Sequence, residues 1–300
     1  MPSYKTHSIH GEMILPQIDI KTEISLEDLK LFCMGPDTLI VTDYKLFELQ
    51  HMKDTRKYFK ELIKLIKKNK LQDNGEVMAF LYGQLDHFIL DLIMHPLIYY
   101  MTEEMPKVHL MDPHGLVENL IDDYVMWKFD RTDENYYRKL NISDRKLIKL
   151  INDAYKKVYH ANNISLKYSF GMVLINIYDS LIRRDKAFLA KAIMKLINLG
   201  DISYHSDYKV ALPYLNLDHE IWFDPETGEK HNESFDNLWN KACEVALETI
   251  QDVNMYLYQD KAISNPIIEN DISFNTGQPC EKGQMKRFVK KYINCKKTRK

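Results

Sequence analysis

His87, Asp91 and His95 stand four residues apart, and so do His114, Glu118 and Asp122. On an α-helix such residues share one face, drifting about 40° per step. Imidazole nitrogens and carboxylate oxygens on a common face are the donor set of a divalent metal. Asp91 falls inside an otherwise apolar run, where a carboxylate without a cation or donors is costly. Taken singly, each residue has a plainer reading, as a hydrogen-bonded core histidine or a His–Asp pair one turn apart. Two such stripes close together in the chain, one of them in an apolar helix, favour metal binding.

Spacing also argues for more than one ion. His87 and His95 lie about 12 Å apart along a helix axis. Zinc–nitrogen bonds are about 2.0–2.1 Å, so a single ion does not take both. Pro96 disfavours helical geometry at His95 and is expected to re-aim it. His87 and Asp91 are therefore assigned to one ion and His95 to another, with His114 and Glu118 completing the second site. Two facing helices would gather six donors, Asp122 included, around one cavity, as bundle metal sites do. Ions a few ångströms apart suit phosphoester hydrolysis, clamping the attacking and leaving oxygens.

The elements that must position these groups are helices. The apolar run at 77–100 has the length of a membrane span. It carries Asp86, His87, Asp91 and His95 near its centre, and each central Asp costs about 2.5–3.5 kcal/mol on insertion, so a buried core helix is expected. Gly83 extends the polar stripe backward and leaves room beside it. Ser25 with Asp28 predicts a helix start and a short helix to about residue 33. Gly35-Pro36 then breaks the chain. Tyr58, Phe59, Leu62, Ile63, Leu65 and Ile66 predict an amphipathic helix with a Lys-rich outer face, closed by a turn at Asn74-Gly75. Further helices are expected at 113–128, 143–160, 165–197 and 234–258, with loops at 200–228. Few segments alternate with strand period. The expectation is an all-α fold: one mainly helical domain over 1–281 with the metal cluster between its helices, and a basic tail at 282–300.

The 300 residues are 45% hydrophobic and 28% charged, ordinary for a soluble globular chain. A net charge of −2 gives no global field toward nucleic acid or membrane. The tail alone could touch an anionic membrane surface or nucleic acid weakly, although a solvated charged terminus is the plainer reading. Cys33, Cys243, Cys280 and Cys295 have no CxxC spacing and read as free thiols in a reducing compartment. The N-terminus lacks the apolar stretch of a secretory signal, which points to a cytoplasmic protein. His219 and His231 fall in the turn-rich region and read as solvated. His10, His109, His160 and His205 read as structural or surface groups, and Trp222 and Tyr214 as packing.

His87-x3-Asp91-x3-His95-Pro96 followed by His114-x3-Glu118-x3-Asp122 resembles the zinc-dependent phospholipase C family, which shares its fold with P1/S1-type nucleases. Thr6-His7 with Gly11, the Gly35-Pro36-Asp37 turn and His51 fit the same pattern. So do Asn216 to Trp222, Asp224-Pro225 and the Ser234-Phe235-Asp236 helix start, which are similar to small cytosolic bacterial members. The resemblance covers most of the chain and implies a helical fold around two or three zinc ions that cleaves phosphodiesters. Carried over residue by residue, it implies Asp37, His51, His87 and Asp91 on a first zinc. His95, His114 and Glu118 would hold a second, and His7 with a bridging Asp91 a third. It implies attack on phosphorus by a metal-bound hydroxide, with Asp37 as candidate catalytic base. Secreted members add an N-terminal Trp to the third zinc. Here the Pro2 amine, freed by loss of Met1, is the expected substitute, and the alternative is a two-metal site. The expected substrate is a phospholipid. The alternatives are a nucleotide-like or small soluble phosphodiester, or a non-enzymatic helical protein with a structural zinc, which eight candidate ligands argue against. No obligate protein partner is inferred.

Overall fold

A helix that is apolar nearly all round must be buried on every side. α5, Gly75–Thr102, is that helix and forms the core. By length and composition it could cross a membrane, yet 94% of its apolar window is buried inside the protein. The computed structural model describes residues 4–102, 113–131, 142–183 and 207–280. The basic tail at 282–300, Pro2, His109, His205 and Cys295 lie outside them, as does the expected helix beyond Arg183.

α5 is surrounded by α1 (Tyr4–Ile14), α2 (Leu26–Phe32), α6 (Pro113–Lys128), α9 (Phe235–Gln259) and a 3-10 turn at Gly35–Leu39. The amphipathic α4 (Thr55–Lys68) and α7 (Arg145–Tyr159) pack together, each turning its apolar face inward. α3 (Tyr44–Met52) lies against the 3-10 turn and α4, and α8 (Ile164–Arg183) against the 3-10 turn. α10 (Pro266–Glu269) sits on α4. The strands among the described residues are β1 (Trp222–Phe223) and β2 (Lys230–His231), antiparallel with Trp222 opposite His231. The chain is mainly helical, as the periodicity predicts.

Caps fix several helix starts, each accepting an otherwise unpaired backbone N–H. Ser25 accepts from Asp28 N on α2, Asp43 from Leu46 N on α3, and Asn74 from Val77 N on α5. Ser234 and Asn237 form a reciprocal capping box on α9.

Two expectations are corrected. Pro96 does not re-aim His95: α5 runs through it to Thr102. Proline removes one helical N–H bond, but a helix packed on all sides keeps its path. The room beside Gly83 is taken by α2, since a Cβ there would meet the Phe32 carbonyl carbon at 2.5 Å. α1 and α3 lie outside the helices predicted above.

Candidate metal centre

All eight predicted donors converge. His7 comes from α1, Asp37 from the 3-10 turn and His51 from the last turn of α3. His87, Asp91 and His95 come from α5, and His114 and Glu118 from α6. Their donor atoms form three groups, each with all its atoms within 4.8 Å of one another: His7, His87 and Asp91; Asp37, His51 and His87; His95, His114 and Glu118.

Asp91 joins the groups. Its Oδ1 lies 3.2 Å from His7 Nε2 and 3.3 Å from His95 Nε2. Its Oδ2 lies 3.0 Å from His87 Nε2 and 3.8 Å from His51 Nε2. Asp37 Oδ1 is 3.1 Å from His51 Nε2 and 3.7 Å from His87 Nε2. Glu118 Oε1 is 3.2 Å from His95 Nε2 and 3.0 Å from His114 Nε2. The His87 end is sealed, whereas the His114 side chain keeps 14% of its exposure.

Asp122 does not join this set. Its Oδ1 accepts from Thr6 N and Thr6 Oγ1, both at 2.8 Å, and its Oδ2 from Lys5 N at 3.4 Å. It caps the start of α1 from across the fold, where unpaired N–H groups and the helix dipole favour a carboxylate. The fourfold spacing on α6 thus serves two purposes, and the expectation of six donors from two stripes is corrected.

Backbone carbonyls orient the imidazoles. Nδ1–H donates from His51 to Phe47 O at 2.8 Å, from His87 to Cys33 O at 3.0 Å and from His95 to Phe274 O at 2.8 Å. A carbonyl only accepts, so each Nδ1 carries the proton and each neutral Nε2 presents a lone pair. Those lone pairs face carboxylate oxygens, and acceptor against acceptor needs a cation between them. His87 Nε2 and Asp37 Oδ2 are buried and make no hydrogen bond. Such atoms are rare in native interiors and mark a missing partner. The donor set fits zinc. Gly35, at φ +55, is required here because a Cβ would meet the His87 ring at 2.3 Å.

Without metal, protons take that place. Burial alone would lower His87, but Asp91 and Asp37 hold it up at about 9. His95 is likewise lowered by burial and raised to about 9 by Asp91 and Glu118. Burial would raise Asp91, but His95, His87 and His7 hold it well below the usual carboxylate range. His114 and His95 do the same for Glu118 against the same opposing burial.

The sequence model of the family described as zinc dependent phospholipase C matches residues 6–164. The chain belongs to that family. No curated protein and no solved structure matches it. The matched residues include all eight donors, while support also comes from beyond them. Phe274 lies past residue 164, and its carbonyl holds His95 while its N–H donates to His51 O at 2.9 Å. Its ring packs on Phe88 and on the His51 and His87 rings. A small cavity opens on Asp91, His95, Glu118 and His7, walled by Met94, Ile98, Ile121 and Phe235. Residue types alone did not reveal Phe274, because a backbone carbonyl leaves no mark in a sequence. His231 stacks on Trp222 and pairs with Glu233, and His219 Nδ1 sits 3.2 Å from Asn232 O, so both histidines belong to the hairpin region.

Proposed function

We propose that the protein is a zinc-dependent phosphodiester hydrolase acting on phospholipid, with Asp37, His51, His87, Asp91, His95, His114, Glu118 and His7 as metal ligands. The observation that carries this reading is Asp91, whose two oxygens are divided among four histidine Nε2 atoms at 3.0–3.8 Å. A carboxylate so placed joins neighbouring metal sites and suits two or three ions. Asp37, His51, His87 and Asp91 would hold one ion, His95, His114 and Glu118 a second, and His7 with Asp91 a third. Zinc bound there supplies Lewis acidity toward a phosphoryl oxygen and acidifies water.

The chain's own groups supply the rest. Asp37 Oδ2 is free of hydrogen bonds and can take a proton from an attacking water. The carbonyls of Phe47, Cys33 and Phe274 keep three Nε2 atoms aimed inward. Met94, Ile98, Ile121 and Phe235 keep water off one side of the cluster and favour a substrate with an apolar part. Tyr99 is stacked on His114 at 4.0 Å, so that face of its ring is closed to a nucleic-acid base.

The test is elemental analysis of purified protein beside a His87→Ala/His95→Ala variant, followed by phospholipid and single-stranded nucleic-acid substrates. Two or three zinc ions per chain, mostly lost in the variant, with release of a phosphorylated headgroup, are expected. Zero or one ion, unchanged in the variant, sinks the multinuclear site. Cleavage of nucleic acid but not lipid replaces the substrate.

A further inference from the structure

A second cluster of titratable groups joins α1, α5 and α9 and has no part in the proposed reaction. His10 of α1 places Nδ1 2.6 Å from Asp86 Oδ1 of α5, and both side chains are fully buried. The other ring nitrogen, Nε2, lies 3.2 Å from Cys243 Sγ of α9. The Trp239 ring stands edge-on to His10 at 4.8 Å. Cys33, at the end of α2, also faces Asp86.

The chemistry follows from the order of the contacts. Asp86 fixes the Nδ1 proton and favours the charged ring. Burial would lower His10, but Asp86, with smaller contributions from Cys243, outweighs it and pushes the imidazole up to about 10. A charged ring turns its Nε2–H toward sulfur, and an imidazolium beside a thiol favours the thiolate. Nucleophile, base and orienting carboxylate stand in the relation used by cysteine nucleophiles. His10 and Asp86 are sealed, whereas Cys243 is only partly buried. The other described cysteines lack such a base. Cys33 is buried, and burial pushes its thiol well up. Burial likewise pushes Cys280 up to about 11.

We propose that Cys243 is a nucleophilic thiol, held against the His10 ring that Asp86 orients, and that it reacts with small electrophiles, hydroperoxides foremost. The sulfur attacks the terminal peroxide oxygen; an S–O bond forms and the O–O bond breaks. Sulfur loses two electrons to become a sulfenic acid, and the peroxide is reduced to an alcohol or water. The departing oxygen takes the proton from His10 Nε2. The inference stands independently of the metal reading, because none of its three residues is a proposed ligand.

The experiment is limited alkylation of the full-length, zinc-loaded protein with iodoacetamide from pH 6 to 8, read cysteine by cysteine by peptide mass spectrometry. Cys243 is expected to react about tenfold faster than Cys280 at pH 7. Its rate should change little with pH, while that of Cys280 rises steeply. His10→Gln should bring Cys243 to the rate of Cys280, and if that variant does not fold, the wild-type pH profile decides alone. With hydrogen peroxide, dimedone should trap a sulfenic acid at Cys243. Alkylation no faster than at Cys280, or a rate climbing equally steeply with pH, overturns the thiolate. A dimedone-negative Cys243 overturns the reaction with hydroperoxides.

Discussion

Residues 6–164 and residues 207–280 build the same centre in different ways. The first region supplies every proposed donor as a side chain, from His7 to Glu118. The second supplies none of them. It gives the Phe274 carbonyl to His95, the Phe235 ring to the cavity wall and the α9 surface that covers α5. The family match falls where chemistry demands particular residue types. Support by a carbonyl or a buried ring demands a place in space, which many sequences can provide.

The sharpest way to break this contrast is Phe274→Ala. Removing a buried ring costs about 3–5 kcal/mol, and disturbing a partner that orients a ligand lowers metal affinity about 10–100-fold. Denaturant unfolding and competitive zinc titration should both register the change. Unaltered zinc affinity would make the second region a cover and nothing more.

Metal removal tests the first region by itself. In the metal-free protein His87 and His95 are raised to about 9, against an ordinary 6.5. The stability they add is therefore full below about pH 6.5 and is lost as pH rises through about 9. The melting temperature of chelator-treated protein should fall by at least about 5 °C between pH 6.5 and 9.5. Zinc-loaded protein should fall less, since its ligand nitrogens hold metal in place of protons. Equal slopes would show that protons and metal do not compete there.

Asp122→Ala is the smallest of the three. Loss of a helix cap costs about 1 kcal/mol, or roughly 2–4 °C for a chain of this size. Elemental analysis should still find the full zinc content. A missing ion would return Asp122 to the ligands, where its spacing first put it.

Much of this centre is legible in the residues. The apolar run around His87, Asp91 and His95 marks both a core helix and a buried polar stripe. His114 and Glu118 repeat the spacing. His7 and His51 are weaker, because their helices are short and have no long apolar stripe; they were found through resemblance to the family. Asp122 misled because one spacing suits both a ligand and a cap, and only the packing of α1 against α6 separates the two. Pro96 misled because a local preference yields to packing on all sides of α5. The cluster of His10, Asp86 and Cys243 spans more than 230 positions, too far apart for any local pattern.

The carbonyl of Phe274 also has a consequence in time. A ribosome makes the chain from its N-terminus, so the donors exist about 150 residues before the group that fixes His95. At ordinary rates of synthesis that interval is roughly 8–30 s. Over that time His95 has no Phe274 carbonyl to hold it, and α5 has no α9 to cover it. The centre is therefore completed only after Phe274 has been made, and α5 lacks its α9 cover until residues 235–259 have followed it.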